Sequence, residues 1–280
     1  MALLIGLLTA GAYGSADFFG GFATRRNPLG AVVFTMMAVG LVVAPLLLIA
    51  FPEPFPSARV VWLSAGIGVI GTASVALLYT GLAMGRMSVV APISAVGGSV
   101  IPVFWGIARG ERPSAIAIVG VVAAICAIGL VARGPGAEPI GGGSRTRELA
   151  VAVGAGIGFG VVFIFFAETG DSAGFWPVLL SRCFSVPIVL GLALVTGRIL
   201  RLPPAALKPA GAAGLLDVSA NALQLLALRR GLVTLVAPVA GLYPAITVLL
   251  ARTVLKERMR RTQIVGLVVA LTGLVLIAIG

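Results

Sequence analysis

Three ionisable residues stand deep inside apolar stretches of this 280-residue chain: Asp17, Arg182 and Asp217. An ionic side chain at the centre of a bilayer costs about 2.5 to 3.5 kcal/mol on insertion scales, so each needs a partner or a use. Arg182 is the natural anion ligand, because its guanidinium keeps its charge and can grip a carboxylate through two parallel hydrogen bonds. Asp17 can hold an ammonium group or a coupling proton. A zwitterion such as an amino acid would meet Arg182 at one end and an aspartate at the other. The competing reading is an internal ion pair, Arg182 with Asp17 or Asp217; it is compatible with binding if a ligand competes for the pair.

Polar neighbours extend these three. Asp217, Asn221 and Gln224 follow i, i+4, i+7 spacing, which lines them up on one helix face and predicts a cavity wall. The alternative for Asn221 and Gln224 is hydrogen bonding between packed helices. Tyr13 precedes Asp17 by four residues and shares its face, with Gly14 and Gly21 allowing close backbone approach nearby. These six residues, Tyr13, Asp17, Arg182, Asp217, Asn221 and Gln224, form the candidate substrate site. Pro92, Pro102, Pro238 and Pro244 are expected to interrupt the fourth and ninth apolar segments, freeing backbone carbonyls near the midplane and permitting gating. A static kink is the alternative for any one of them, and Pro92 and Pro238 lie near helix starts.

Other residues rank lower. Glu111 and Glu257 sit at segment edges beside Arg112 and Arg258, where fixing loop geometry is the expected role. Tyr79, Trp105 and Tyr243 suit either the cavity or an interfacial aromatic belt. Cys126 and Cys183 fall inside apolar segments without metal-type spacing, so buried thiols are expected. The chain has no histidine. That removes histidine proton relays, histidine-bound metals and Ser/His hydrolysis. Nothing in the sequence calls for a cofactor or a metal.

The elements that must position these groups are membrane helices. With 59% hydrophobic and 10% charged residues and a mean hydropathy of +1.14, the chain has too little polar surface to cover a water-soluble globule. A bilayer core of about 30 Å takes roughly 20 apolar residues per helix. Windows of that length run at about 3–22, 29–51, 60–82, 88–108, 114–132, 149–167, 175–195, 210–228, 232–254 and 262–280. They are continuously apolar, unlike the alternating strands of a membrane barrel. Met1 to Ala10 lacks a basic leading region and Asp17 interrupts the stretch that follows, so a retained first helix is expected instead of a cleaved signal. The net charge of +11 does not point to nucleic acid, because the basic residues are spread over short loops.

The chain also repeats itself. Val90-Ala91-Pro92 returns as Val236-Ala237-Pro238 and Glu111-Arg112 as Glu257-Arg258, at one ungapped offset of 146 residues. At this offset 12 of the 46 positions from Gly85 to Leu130 are identical, against roughly a tenth by chance in so apolar a composition. The Gly- and Pro-rich stretch 134–147 divides the chain into a first five-helix unit, 1–133, and a second, 148–280. Five is odd, so the second unit enters the membrane from the opposite side. The expected fold is an all-α membrane protein of ten transmembrane helices arranged as two inverted five-helix repeats.

The run Gly14 to Gly21 (GSADFFGG), the paired Ala-Pro starts of the fourth and ninth helices and the Gly-Glu-Arg and Lys-Glu-Arg loops resemble the EamA group of the drug/metabolite transporter superfamily. The resemblance spans essentially the whole chain. It implies export or exchange of small polar metabolites such as amino acids through a central cavity in the cell membrane. It also implies cytoplasmic termini, whereas counting basic residues in the loops favours both termini outside. A secondary transporter working by alternating access is therefore the leading expectation. With no GxxxxGK[ST] phosphate loop, its energy would come from a gradient, with protons as candidate coupling ions, or from exchange. A channel and an intramembrane enzyme are the alternatives. Isolated charges of mixed sign suit a binding pocket better than a pore, and the side chains needed for catalysis are missing.

Overall fold

The computed structural model describes residues 2–84, 87–110, 112–132, 145–230, 233–257, 259 and 261–279. Among them are eleven α-helices: α1 Ala2–Thr24, α2 Leu29–Ala50, α3 Ala58–Met84, α4 Met87–Ala108, α5 Ala115–Ala132, α6 Arg145–Glu168, α7 Trp176–Val195, α8 Pro204–Leu228, α9 Val233–Ala240, α10 Pro244–Val254 and α11 Arg261–Ile279. Among the described residues there is no strand. Eight spans are long and apolar enough to cross a bilayer: α2, α3, α4, α6, α7, α8, the α9–α10 unit from Val236 and α11. α5 adds a shorter apolar stretch, Ala115–Ala127. The protein is a multi-pass membrane protein. Most of the stretch 134–147, expected to divide the chain, lies outside the described residues, and its last three residues already belong to α6.

The helices pack in a reciprocal pattern. α1 lies on α8 and α6 on α3; α2 lies on α8 and α7 on α3; α4 lies on α6, and α9 and α10 lie on α1. α5 packs against α11, α2 against α7, and α4 against both α9 and α10. Helices in lipid gain no hydrophobic drive from one another and rely on close backbone approach at small residues. Two contacts depend on it directly: a Cβ on Gly120 of α5 would stand 2.6 Å from the Gly273 carbonyl of α11, and one on Gly97 of α4 would stand 2.9 Å from the Gly156 backbone of α6.

Buried apolar side chains form separate clusters inside the bundle. One contains Phe18, Met36, Tyr79, Leu82 and Met87, all buried. Another contains Phe166, Phe175, Val178 and Leu225. Cys126 and Cys183 are exposed on the outer surface, against the expectation of buried thiols. The reason is physical: lipid tails are as apolar as a protein interior, so hydropathy does not tell a core face from a lipid face.

The prolines also behave differently from one another. Pro92 and Pro102 lie inside α4, which runs unbroken through both, so the expected interruption there does not occur. Pro238 lies inside α9, while Pro244 opens α10 after a real break at Gly241–Tyr243. Pro244 has no N–H to continue the ladder, and the Ala240 carbonyl instead accepts from Tyr243 N at 3.2 Å.

Candidate functional site

Inside the bundle lies a partly open cavity walled by both halves of the chain, with about 50 Å³ of space for the centres of water-sized molecules. From the first half come Tyr13 and Asp17 of α1, Met37 of α2, Gly71 of α3 and Gly98 of α4. The second half supplies Phe159 and Phe163 of α6, Arg182 of α7, Asp217 and Asn221 of α8, and Tyr243 at the helix break. The lining is a mostly apolar wall with a few polar groups, the mixture small-molecule sites use.

A single polar network ties α1, α2, α7 and α8 together. The Arg182 guanidinium donates to the Asp217 carboxylate, and both side chains are buried. Asn221, one turn along α8, donates through Nδ2 to Asp217 Oδ2 at 3.1 Å and to the Asp217 carbonyl at 2.7 Å. Tyr13 Oη donates to Asn221 Oδ1 at 3.2 Å. Arg182 Nη1 points to Met37 Sδ at 3.0 Å, leaving Nε buried without a partner. The arginine fits because residue 40 is glycine: a Cβ there would stand 2.9 Å from Arg182 Nε.

Asp17 is the exception. It is 9% exposed and lines the cavity, yet it makes no hydrogen bond or ion pair among the described residues. Arg182 is matched by Asp217, so the three deep charges leave one carboxylate over. On the far wall Tyr243 Oη shares a 2.7 Å hydrogen bond with Ser94 Oγ of α4, and Thr247 Oγ1 donates to the Gly14 carbonyl of α1 at 3.0 Å. The second half's broken helix is thereby hydrogen-bonded to two helices of the first.

Five of the six expected site residues meet at this cavity: Tyr13, Asp17, Arg182, Asp217 and Asn221. Gln224 does not reach it. It is fully buried one turn further along α8, with neither amide atom hydrogen-bonded. Tyr79 does not line it either; it is wedged between α1 and α2 with its hydroxyl on Met36 Sδ at 3.1 Å. Trp105 stays half-exposed under the Arg109 guanidinium, whose partner is Glu168. Glu257 holds a loop to the bundle: it pairs with Arg25 at 2.7 Å and accepts from the Met87 and Ser88 N–H groups at the start of α4. Glu111 and Arg258 lie outside the described residues. Sequence reasoning missed Met37, Phe159 and Phe163 on the wall. The one available signal was the four-residue spacing of Phe159 and Phe163, which any packed helix can show.

Comparison with known proteins adds a family. Residues 146–279 match the EamA-like transporter family. No curated protein matches the chain. Among solved structures, one described only as the crystal structure of a protein superposes with a TM-score of 0.64 at 16% identity, covering 98% of this chain and 95% of its own. That likeness speaks for the fold alone.

Proposed function

We propose, on the match of residues 146–279 to the EamA-like transporter family, that the chain is a secondary transporter of the drug/metabolite transporter superfamily, an exporter or exchanger of small polar metabolites in the cell membrane. Its substrate binds in the central cavity, which opens in turn to each side as two inverted five-helix repeats rock against each other. The reciprocal packing supports this arrangement: contacts of α1 with α8, α2 with α8 and α4 with α6 each recur between the helices five spans later.

The observation that carries the reading is the unpaired Asp17 carboxylate facing the Arg182–Asp217 pair across a cavity between the two halves. Such a charge is costly in lipid and calls for a cationic partner that arrives and leaves. A substrate ammonium or a proton meets Asp17. A substrate carboxylate competes with Asp217 for Arg182, while Tyr13 and Asn221 orient the polar end. Gln224, with two unmade hydrogen bonds at about 1 to 3 kcal/mol each, finds partners in the alternate state. Pro244 and the Gly241–Tyr243 break supply the hinge, while Pro92, Pro102 and Pro238 stay within unbroken helices.

Counterflow in liposomes tests the proposal. A preloaded amino acid, sugar or cationic amine that is the substrate drives uptake of its labelled form; a channel only dissipates the gradient, and an enzyme returns an altered product. Arg182→Ala and Asp217→Asn each abolish exchange while the protein still reaches the membrane. Unchanged exchange in both variants removes the pair from the mechanism.

A further inference from the structure

A second concavity lies on the outer surface of the bundle, away from the transport cavity. It spans about 980 Å³, open to its surroundings, between α2 and the segment that joins α7 to α8. Its floor is a stripe of α2, including Phe34, Ala38, Val39, Val42 and Val43, and its upper end is closed by Leu200, Arg201, Leu202 and Leu207. From residue 34 to 43 a helix rises about 13 Å. That is close to the depth of one hydrocarbon leaflet, about half of a 30 Å core. The stripe runs from the membrane edge, where α2 begins at Leu29, toward the middle of the span.

The charge at the edge is all of one sign. Arg201 lines the groove, and Arg198 and Lys208 flank it; all three are exposed, and none has an ion-pair partner among the described residues. The sequence holds no acidic residue between Asp171 and Asp217 that could offset them. The first turn of α8 points its amides toward the same edge, with Pro203 before it and no side-chain cap. Helix amino termini favour anions.

We propose that this groove is a binding site for one anionic phospholipid of the surrounding bilayer, its phosphodiester held by Arg201 with Arg198 and Lys208 and one acyl chain lying along α2 over Val39, Val42 and Val43. A soluble phosphate would use the edge and leave the apolar stripe bare. A second copy of this chain would bring the same cationic edge toward its like. A phospholipid matches both the charge and the length. The site is independent of the transport reading, because none of its residues lines the central cavity.

The test is thermal unfolding of the purified full chain in mild detergent, followed by intrinsic fluorescence, with dioleoyl-phosphatidylglycerol, dioleoyl-phosphatidylcholine or glycerol phosphate added. Phosphatidylglycerol raises the melting temperature and saturates, while phosphatidylcholine and glycerol phosphate do so far less. Arg201→Gln, at an exposed loop position, weakens the half-saturating phosphatidylglycerol concentration about fivefold, the effect expected of one basic residue at an anionic surface. Val42→Trp, at a site 74% exposed, fills the groove and removes the effect with all three cations still present. Equal stabilisation by both phospholipids overturns the proposal, as does glycerol phosphate acting as strongly as the lipid, or an undiminished response in Arg201→Gln. A dimer in size-exclusion with light scattering that Val42→Trp dissociates assigns the groove to a second copy and overturns it as well.

Discussion

Helix α4 and the α9–α10 unit correspond to each other at the sequence offset of 146 residues, yet one is continuous and the other is broken. At the offset of 146 residues, Gly97-Gly98 of α4 corresponds to Tyr243-Pro244. The helix runs on through the glycine pair, which lets α6 approach within backbone contact at Gly156. The tyrosine and proline end one helix and start another, and the break carries the Tyr243 ring into the cavity, where its hydroxyl meets Ser94 of α4. On the proposed mechanism the continuous α4 would serve as a wall and the broken α9–α10 unit as a joint, with the joint at the cavity.

Making the second copy resemble the first should have the largest effect. Pro244→Ala restores a donor and lets α9 run into α10, withdrawing Tyr243 from the cavity. Counterflow is expected to slow at least about tenfold with the protein still monodisperse, since a single misplaced group at a site commonly costs a factor of this size or more. Tyr243→Phe keeps the joint and removes only the bond to Ser94. A hydrogen bond is worth about 1 kcal/mol net, so a melting-temperature drop of a few degrees and a severalfold loss of exchange are expected. Pro102→Ala, in the copy that stays continuous, should change exchange by less than about twofold. If it matches Pro244→Ala instead, the joint is not confined to the second copy.

How far the sequence could be read follows from which residues are costly in lipid. Charged side chains announce themselves, so Asp17, Arg182 and Asp217 were legible, as was the α8 stripe as far as Asn221. Spans were legible because twenty apolar residues fit a bilayer. The choice of Asp217 over Asp17 as the partner of Arg182 was not, because it depends on how α7 meets α8 across α2 and α3. The same holds for Gln224, which shares the stripe's spacing but turns away from the cavity. Proline content did not locate the break either. Pro92 and Pro102 are as frequent in α4 as Pro238 and Pro244 are in its counterpart, and only packing lets one helix absorb them. Cys126 and Cys183 were misplaced because water, the reference that makes burial visible in soluble proteins, is absent on the outer face.

The central claim is that Asp17 is kept unpaired at a cost in stability because the transported solute or proton needs it. Asp17→Asn, measured in parallel for liposome counterflow and for melting temperature in detergent, tests this directly. The account predicts a variant that exchanges nothing and yet unfolds at a higher temperature than the parent, because a buried uncompensated charge has been removed. Exchange at the parent's rate contradicts it, and so does a lowered melting temperature, which would make Asp17 a structural partner.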